Sequence, residues 1–230
     1  MSRAVILWDI DGTIVHSSQE RLFFAYLRRE GHTSFLRSAL SMVRLALPVW
    51  RWYRMKLSYL RGRTVDEVAG WVEVCFDQHI RPALIPEAVA AITALKAAGV
   101  RQVLLSGAPM PLAEKTAGYL GLDDVVAGVP EIADRCYTGR MMGPYPLGHQ
   151  KVVHAAEWLA RHGFSWEETV AVADHYKDRF LLAKVRHAIV VGGNKRLHRL
   201  ARSRGWPIVP WGDATPGLRP VLNQVLTDLK

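Results

Sequence analysis

The 230-residue chain is poor in cysteine. It has two, Cys75 and Cys136, too few for a disulfide framework, and the expected setting is reducing and cytoplasmic. It also lacks a long apolar run. The longest stretch free of charge is the twelve residues from Gln102 to Ala113, interrupted by Ser106, Gly107, Pro109 and Pro111. A bilayer span needs about 18 apolar residues or more, so no helix is expected to cross a membrane unaided. No secretory signal is expected either, because the N-terminus runs from Ala4 to Trp8 as a strand and meets an acid at Asp9. Repeats and low-complexity segments are absent. Acids are scarce in two regions. From Arg21 to Arg63 ten Lys and Arg residues accompany only Glu30, and from Lys184 to Arg204 seven bases accompany none. With a net charge of +9 overall, the rest of the chain is net negative. Such asymmetry attracts anions: phosphorylated small molecules, nucleic acid or an acidic membrane surface.

What is present is globular. Half of the residues are hydrophobic, 22% are charged and the mean hydropathy is +0.03. This excludes a disordered or fibrous chain and suits one domain, or one domain with an insert. Short apolar runs at Ala4–Trp8, Val103–Leu105, Val170–Ala173, Ala188–Val191 and Pro207–Val209 alternate with helical patterns at Ala88–Ala98, Leu112–Leu120, Gln150–Arg161 and Lys195–Arg204. That alternation predicts βαβ units around a parallel sheet, an α/β Rossmann-like core. Gly99, Gly121, Gly163 and Gly205 stand just past the helices, where left-handed caps belong. Tyr137–Arg140 reads as a hairpin tip with Gly139 as its turn residue. Residues 16–81 break the rhythm. They read as helix around Gln19–Arg29, Ser34–Leu60 and Val65–His79, with Pro48 interrupting the second. The expected organisation is a core of 1–15 and 82–230 with an inserted all-helical cap of 16–81.

Four segments carry chemistry. Trp8-Asp9-Ile10-Asp11-Gly12-Thr13 closes the first strand, at the edge where ligand sites of open α/β sheets lie. Its two carboxylates, spaced by one residue, can take separate roles, and Gly12 permits a turn that presents backbone N–H groups to an anion. Leu104-Leu-Ser106-Gly107 ends the second core strand ahead of a helix, an arrangement that can hold a phosphate. Lys151 opens another helix, where its ammonium can neutralise phosphate. Ala173-Asp174-His175-Tyr176-Lys177-Asp178 closes a further strand with two more carboxylates, completing a hard oxygen site suited to Mg²⁺.

In this order the four segments resemble the haloacid dehalogenase superfamily of phosphatases, across nearly the whole chain. The position of the helical insert, and the ending from Val190 to Pro207, resemble the branch that includes phosphoserine phosphatase. The resemblance implies that Asp9 is the nucleophile, forming an aspartyl-phosphate, and that Asp11 is the general acid and base. It implies that Mg²⁺ is held by Asp9, the Asp11 carbonyl and Asp174, with Asp178 in support. Gly12, Ser106, Gly107 and Lys151 would bind the phosphate of a small phosphorylated substrate. The chain departs from the pattern at Ala173 and His175, where the family has Gly and often Ser. It also has Ser18, nine positions after the nucleophile, where phosphoserine phosphatases carry a substrate-binding Glu; Glu20 follows two residues later. His175 reads as a modulator of pH dependence or as a structural, solvent-facing histidine.

The insert offers a clue to substrate. Arg37, Arg44 and Arg51 recur every seven residues, with Arg54 nearby, among Trp50, Trp52, Tyr53 and several leucines. This face either lies peripherally on an anionic membrane or packs as a cap helix with its arginines in water. A weaker resemblance, including Gly148-His149-Gln150-Lys151, is to bacterial phosphatidylglycerophosphate phosphatases, which act on a lipid phosphate. Rival readings are a catalytically silent anion-binding module and a nucleic-acid binder; no nucleic-acid motif is recognisable, and no nucleic-acid partner is expected.

Overall fold

The computed structural model describes residues 4–33, 57–211 and 217–229. Its centre is a six-stranded parallel sheet of β1 (Val5–Trp8), β2 (Arg101–Pro109), β3 (Asp124–Gly128), β6 (Thr169–Ala173), β7 (His187–Val191) and β8 (Ile208–Val209). The spatial order is β3-β2-β1-β6-β7-β8. All four residues of β1 are buried, which accounts for the unbroken Val-Ile-Leu-Trp run: a strand covered on both faces has no polar side to show. Ile6 and Trp8 enter one apolar cluster and Val5 and Leu7 the other. The Trp8 indole donates to Gln102 Oε1 at 3.1 Å, and Gln102 Nε2 donates to the Ile92 carbonyl at 3.0 Å, so these buried polar atoms are satisfied.

The sheet is flanked by α3 (Pro86–Ala97), α4 (Met110–Leu120), α5 (His149–His162), α6 (Arg179–Leu182), α7 (Lys195–Arg204) and α8 (Leu218–Asp228); α1 and α2 precede them in the chain. α4, α5 and α7 end on the left-handed glycines Gly121, Gly163 and Gly205. Chain order reverses on either side of β1, so the crevice beyond the ends of β1, β2 and β6 is the topological switch point where ligands bind.

Between β1 and α3, the regular elements among the described residues are helices, joined by turns and isolated bridges. α1 (Gln19–Arg29) buries Gln19, Phe23, Tyr26 and Leu27 along one stripe. α2 (Val65–Cys75) starts at a capping box in which Thr64 and Glu67 satisfy each other's backbone N–H groups. It runs on as a π turn, Phe76–Ile80. The arginine stripe at Arg37, Arg44, Arg51 and Arg54, and Pro48, lie outside the described residues, and of the middle helical segment only residues 57–60 are described. Among the described residues no helix is long and apolar enough to cross a membrane.

Two expectations are corrected. β3 was not foreseen: its first three residues are only half-buried, and as an edge strand it lacks the continuous apolar run of its neighbours. The hairpin of β4 (Pro130–Ala133) and β5 (Cys136–Met141) does not turn at Gly139. Its turn is Asp134-Arg135, both with positive φ (50° and 60°), as in a type I′ turn. Gly139 lies within β5 at φ 82°, where a Cβ would meet Arg61 Cβ and Ser58 Cα at 3.1 Å. The hairpin also pairs with the segment entering α2, through Gly62 N–H to Tyr137 O and Tyr137 N–H to Arg63 O, both 2.8 Å.

Candidate active site

Asp9 follows β1 directly. Its N–H still donates to the Val172 carbonyl at 3.0 Å, so the side chain is held at the sheet edge, 8% exposed. Asp174 leaves β6 next to it, and Thr13 Oγ1 stands 3.5 Å from both Asp9 Oδ2 and Asp174 Oδ1. Asp178 lies at the end of a 3₁₀ turn, Tyr176–Asp178, and is buried. Carboxylate oxygens of Asp9, Asp174 and Asp178 all fall within 4.8 Å of one another. Lys151, in the first turn of α5, reaches into this cluster with 2% of its surface exposed. Its Nζ is 2.5 Å from Asp9 Oδ1 and 2.7 Å from Asp178 Oδ1.

One ammonium among three carboxylates leaves the site short of positive charge. Burial, reinforced by Asp178 and Asp174 against the pull of Lys151, pushes the Asp9 carboxyl up to about 8. Burial and then Asp178 push Asp174 up to about 7. Burial works to lower Lys151, but Asp178 and Asp9 outweigh it and raise it. Hard oxygen donors with unbalanced negative charge are what a divalent cation such as Mg²⁺ requires.

Asp11 faces the same cleft, and its Oδ1 accepts the Gln19 N–H at the start of α1, 3.0 Å. Ser106 lies within β2, not at its end. The register of β2 against β3 shifts between Leu105 and Pro109, a bulge that re-aims Ser106 and Gly107 at the cleft. Ser106 Oγ accepts the Ala108 N–H at 3.2 Å, so its own hydrogen is free to turn towards an anion. The cleft, of about 340 Å³, thus brings together Asp9, Asp11, Ser106, Gly107, Lys151 and Asp178.

Gly12 behaves differently from the expectation. Its N–H donates to the Val15 carbonyl at 2.7 Å, and those of Thr13, Ile14 and Val15 all turn to the Ile10 carbonyl. The turn consumes its own donors and leaves none of these four for an anion. Glycine is required for space: at φ 83°, a Cβ would come within 2.1 Å of Asp174 Oδ2. The Gly12 carbonyl accepts the Trp211 indole N–H at 3.1 Å, a contact across 199 positions that no local pattern announces. Ser18, Glu20, Tyr145, His175 and Lys177 also line the cleft; of these, Tyr145 and Lys177 carry no motif signal in the sequence.

A sequence profile of haloacid dehalogenase-like hydrolases matches residues 6–183. The Mycobacterium tuberculosis protein named phosphoserine phosphatase SerB1 is 33% identical over 157 residues, which are 67% of this chain and 50% of that protein. The histidinol-phosphatase of Neisseria meningitidis is 20% identical over 214 residues, 88% of this chain and 96% of its own. The chain spans about half the length of the mycobacterial relatives it matches. Among solved structures, a Bordetella pertussis protein of unknown function superposes with a TM-score of 0.82 at 26% identity, over 90% of this chain and 98% of that one. A substrate-bound phosphoserine phosphatase shares the fold, with a TM-score of 0.67 at 20% identity over 97% and 99% of the two chains. The profile match takes in every strand of the sheet from β1 to β6 and most of the chain, which therefore belongs to the haloacid dehalogenase-like hydrolase family.

Proposed function

We propose that the chain is a Mg²⁺-dependent phosphomonoester hydrolase acting through an aspartyl-phosphate on Asp9, with residues 1–15 and 82–230 as its core and 16–81 as its cap. The observation that carries this reading is the cluster at the switch point: the carboxylates of Asp9, Asp174 and Asp178, the first and last of them paired with Lys151, with Ser106 and Asp11 in the same cleft. Phosphatase names among the relatives support it. Asp9, the Asp11 carbonyl and Asp174 would hold Mg²⁺, with Asp178 supporting them; when bound, the cation offsets the repulsion between carboxylate and phosphate.

Asp9 attacks phosphorus, and the bond to the leaving oxygen breaks as Asp11 delivers a proton to it. The Asp11 carboxyl is oriented for this, since Oδ1 is tied to the Gln19 N–H and the other oxygen remains for the proton. Water then attacks the phosphoryl group, Asp11 takes its proton, and the bond from phosphorus to Asp9 breaks to release phosphate. Ser106, Gly107 and Lys151 bind the transferring oxygens, where preorganised donors act most strongly. Gly12 shapes the turn and is not assigned a phosphate contact.

The test is turnover of p-nitrophenyl phosphate with Mg²⁺. Wild type hydrolyses it, and Asp9→Asn, folded by circular dichroism, shows no turnover above background. A wild type that binds phosphate but turns nothing over would leave a silent anion-binding module; activity in Asp9→Asn would remove Asp9 as nucleophile.

A further inference from the structure

The cleft has a gradient of exposure. At its floor Asp9, Ser106, Lys151 and Asp178 are each less than a tenth exposed. At its mouth His175 and Lys177 are exposed. A phosphoryl group attacked by Asp9 sits on the floor, so the leaving group extends past the mouth. Lys177, exposed at the mouth, is placed on the leaving-group side of the cleft.

The local structure prepares Lys177 for this. Its N–H donates to His175 Nδ1 at 3.0 Å. An accepting Nδ1 carries no hydrogen, so the neutral ring keeps its proton on Nε2 as a second donor beside the ammonium. Lys177 rides on the 3₁₀ turn Tyr176–Asp178 and His175 caps it; the turn is braced from outside. The Tyr176 ring has the Arg196 guanidinium at 3.9 Å and that of Arg179 at 4.5 Å, while Arg179 Nη1 donates to the Tyr176 carbonyl at 3.0 Å. Among the described residues, no carboxylate lies within ion-pair distance of Lys177; the adjacent Asp178 is buried and taken by Lys151. Ser18 and Glu20, from the start of α1, also line the cleft.

We propose that His175 and Lys177 form a subsite for a second anionic group, a carboxylate or a further phosphate, borne by the leaving group of the substrate. The proposal rests on the phosphatase reading and names the class of phosphomonoester it takes. A solvent-exposed ammonium with a neighbouring N–H fits either anion, and charge-assisted hydrogen bonds of this kind exceed neutral ones.

The experiment compares phenyl phosphate, 4-carboxyphenyl phosphate and 1,4-phenylene bisphosphate as matched esters. Wild type is expected to favour at least one of the two anionic esters by about tenfold or more in kcat/KM, through KM; which one identifies the anion. Lys177→Gln should reduce that ratio about tenfold, and Lys177→Arg should keep most of it. Equal kcat/KM for all three esters in wild type would overturn the proposal. So would a Lys177→Gln loss that falls equally on phenyl phosphate, because Lys177 would then serve the phosphoryl group. Turnover of phenyl phosphate that depends on Asp9 keeps the phosphatase reading intact in either event.

Discussion

Replacing Lys151 with Met isolates the charge at the centre of the site. The side chain keeps its length and apolar stem but loses an ammonium that stands 2.5 Å from Asp9 and 2.7 Å from Asp178, with 2% of its surface exposed. Removing one partner of a buried pair costs about 3–5 kcal/mol, because the other charge is left without water or counter-ion. Here two carboxylates are stranded and a third, Asp174, is close by. In a domain of this size each kcal/mol lowers Tm by about 2–4 °C, so Lys151→Met should melt roughly 6–20 °C below wild type at about pH 9 in EDTA, above the value to which burial raises Asp9. The stranded carboxyls can escape by taking up protons. At pH 5.5 the gap should therefore narrow to less than half. Adding Asp9→Asn to Lys151→Met should recover part of the loss, since one of the stranded charges is gone and the two changes are coupled. Calorimetry of the four proteins at both pH values makes the comparison. A loss below about 1 kcal/mol at about pH 9, or one that is the same at pH 5.5, would refute the description of Lys151 as the shared counter-ion.

Asp9 and Asp174, pushed by burial to about 8 and about 7, well above the usual carboxylate range, hold protons in the folded state that the unfolded chain has released, so their contribution is full below about pH 4 and is lost as pH rises through 7 to 8; Tm in EDTA should fall over pH 5.5–8.5 and the gain from added Mg²⁺ should grow, and a gain that is flat with pH would contradict this. Gly12→Ala forces a Cβ within 2.1 Å of Asp174 Oδ2, so it should cost about 1 kcal/mol or more in stability and weaken Mg²⁺ binding measured by calorimetric titration at least tenfold; unaltered affinity would show that the turn yields. Asp134-Arg135→Asn-Gly supplies residues that accept two positive φ angles and should raise urea stability by about 1 kcal/mol. Trp211→Phe removes the donor to the Gly12 carbonyl and should lower kcat on p-nitrophenyl phosphate severalfold with KM little changed; a pure KM effect would assign Trp211 to substrate instead.

Much of the architecture was legible for reasons of burial. A strand covered on both faces must be continuously apolar, so β1 and β6 announce themselves, and an acid placed directly after such a strand can only stand at the sheet edge. Asp9 and Asp174 were singled out in this way; Asp11 and Asp178 came with the same segments, and Ser106 and Lys151 from a strand end, a helix start and the family resemblance. The left-handed caps at Gly121, Gly163 and Gly205 were equally visible, because only glycine adopts that conformation without strain. The half-buried strand β3 was not, nor was the Asp134-Arg135 turn, whose second residue, an arginine, does not favour the positive φ it adopts.

Tertiary structure alone decided what those residues do to one another. That the Gly12 turn spends its N–H groups on Val15 and Ile10, and needs glycine to make room for Asp174, depends on how two loops meet over the sheet. That Lys151 bridges Asp9 and Asp178, that Trp211 reaches the Gly12 carbonyl, and that Lys177 lines the mouth of the cleft depend on side-chain paths between elements up to 199 positions apart. Periodicity records which face of an element is buried, and that is a property of the element itself. Distances between charges on different elements follow from packing, and no local pattern of residues encodes them.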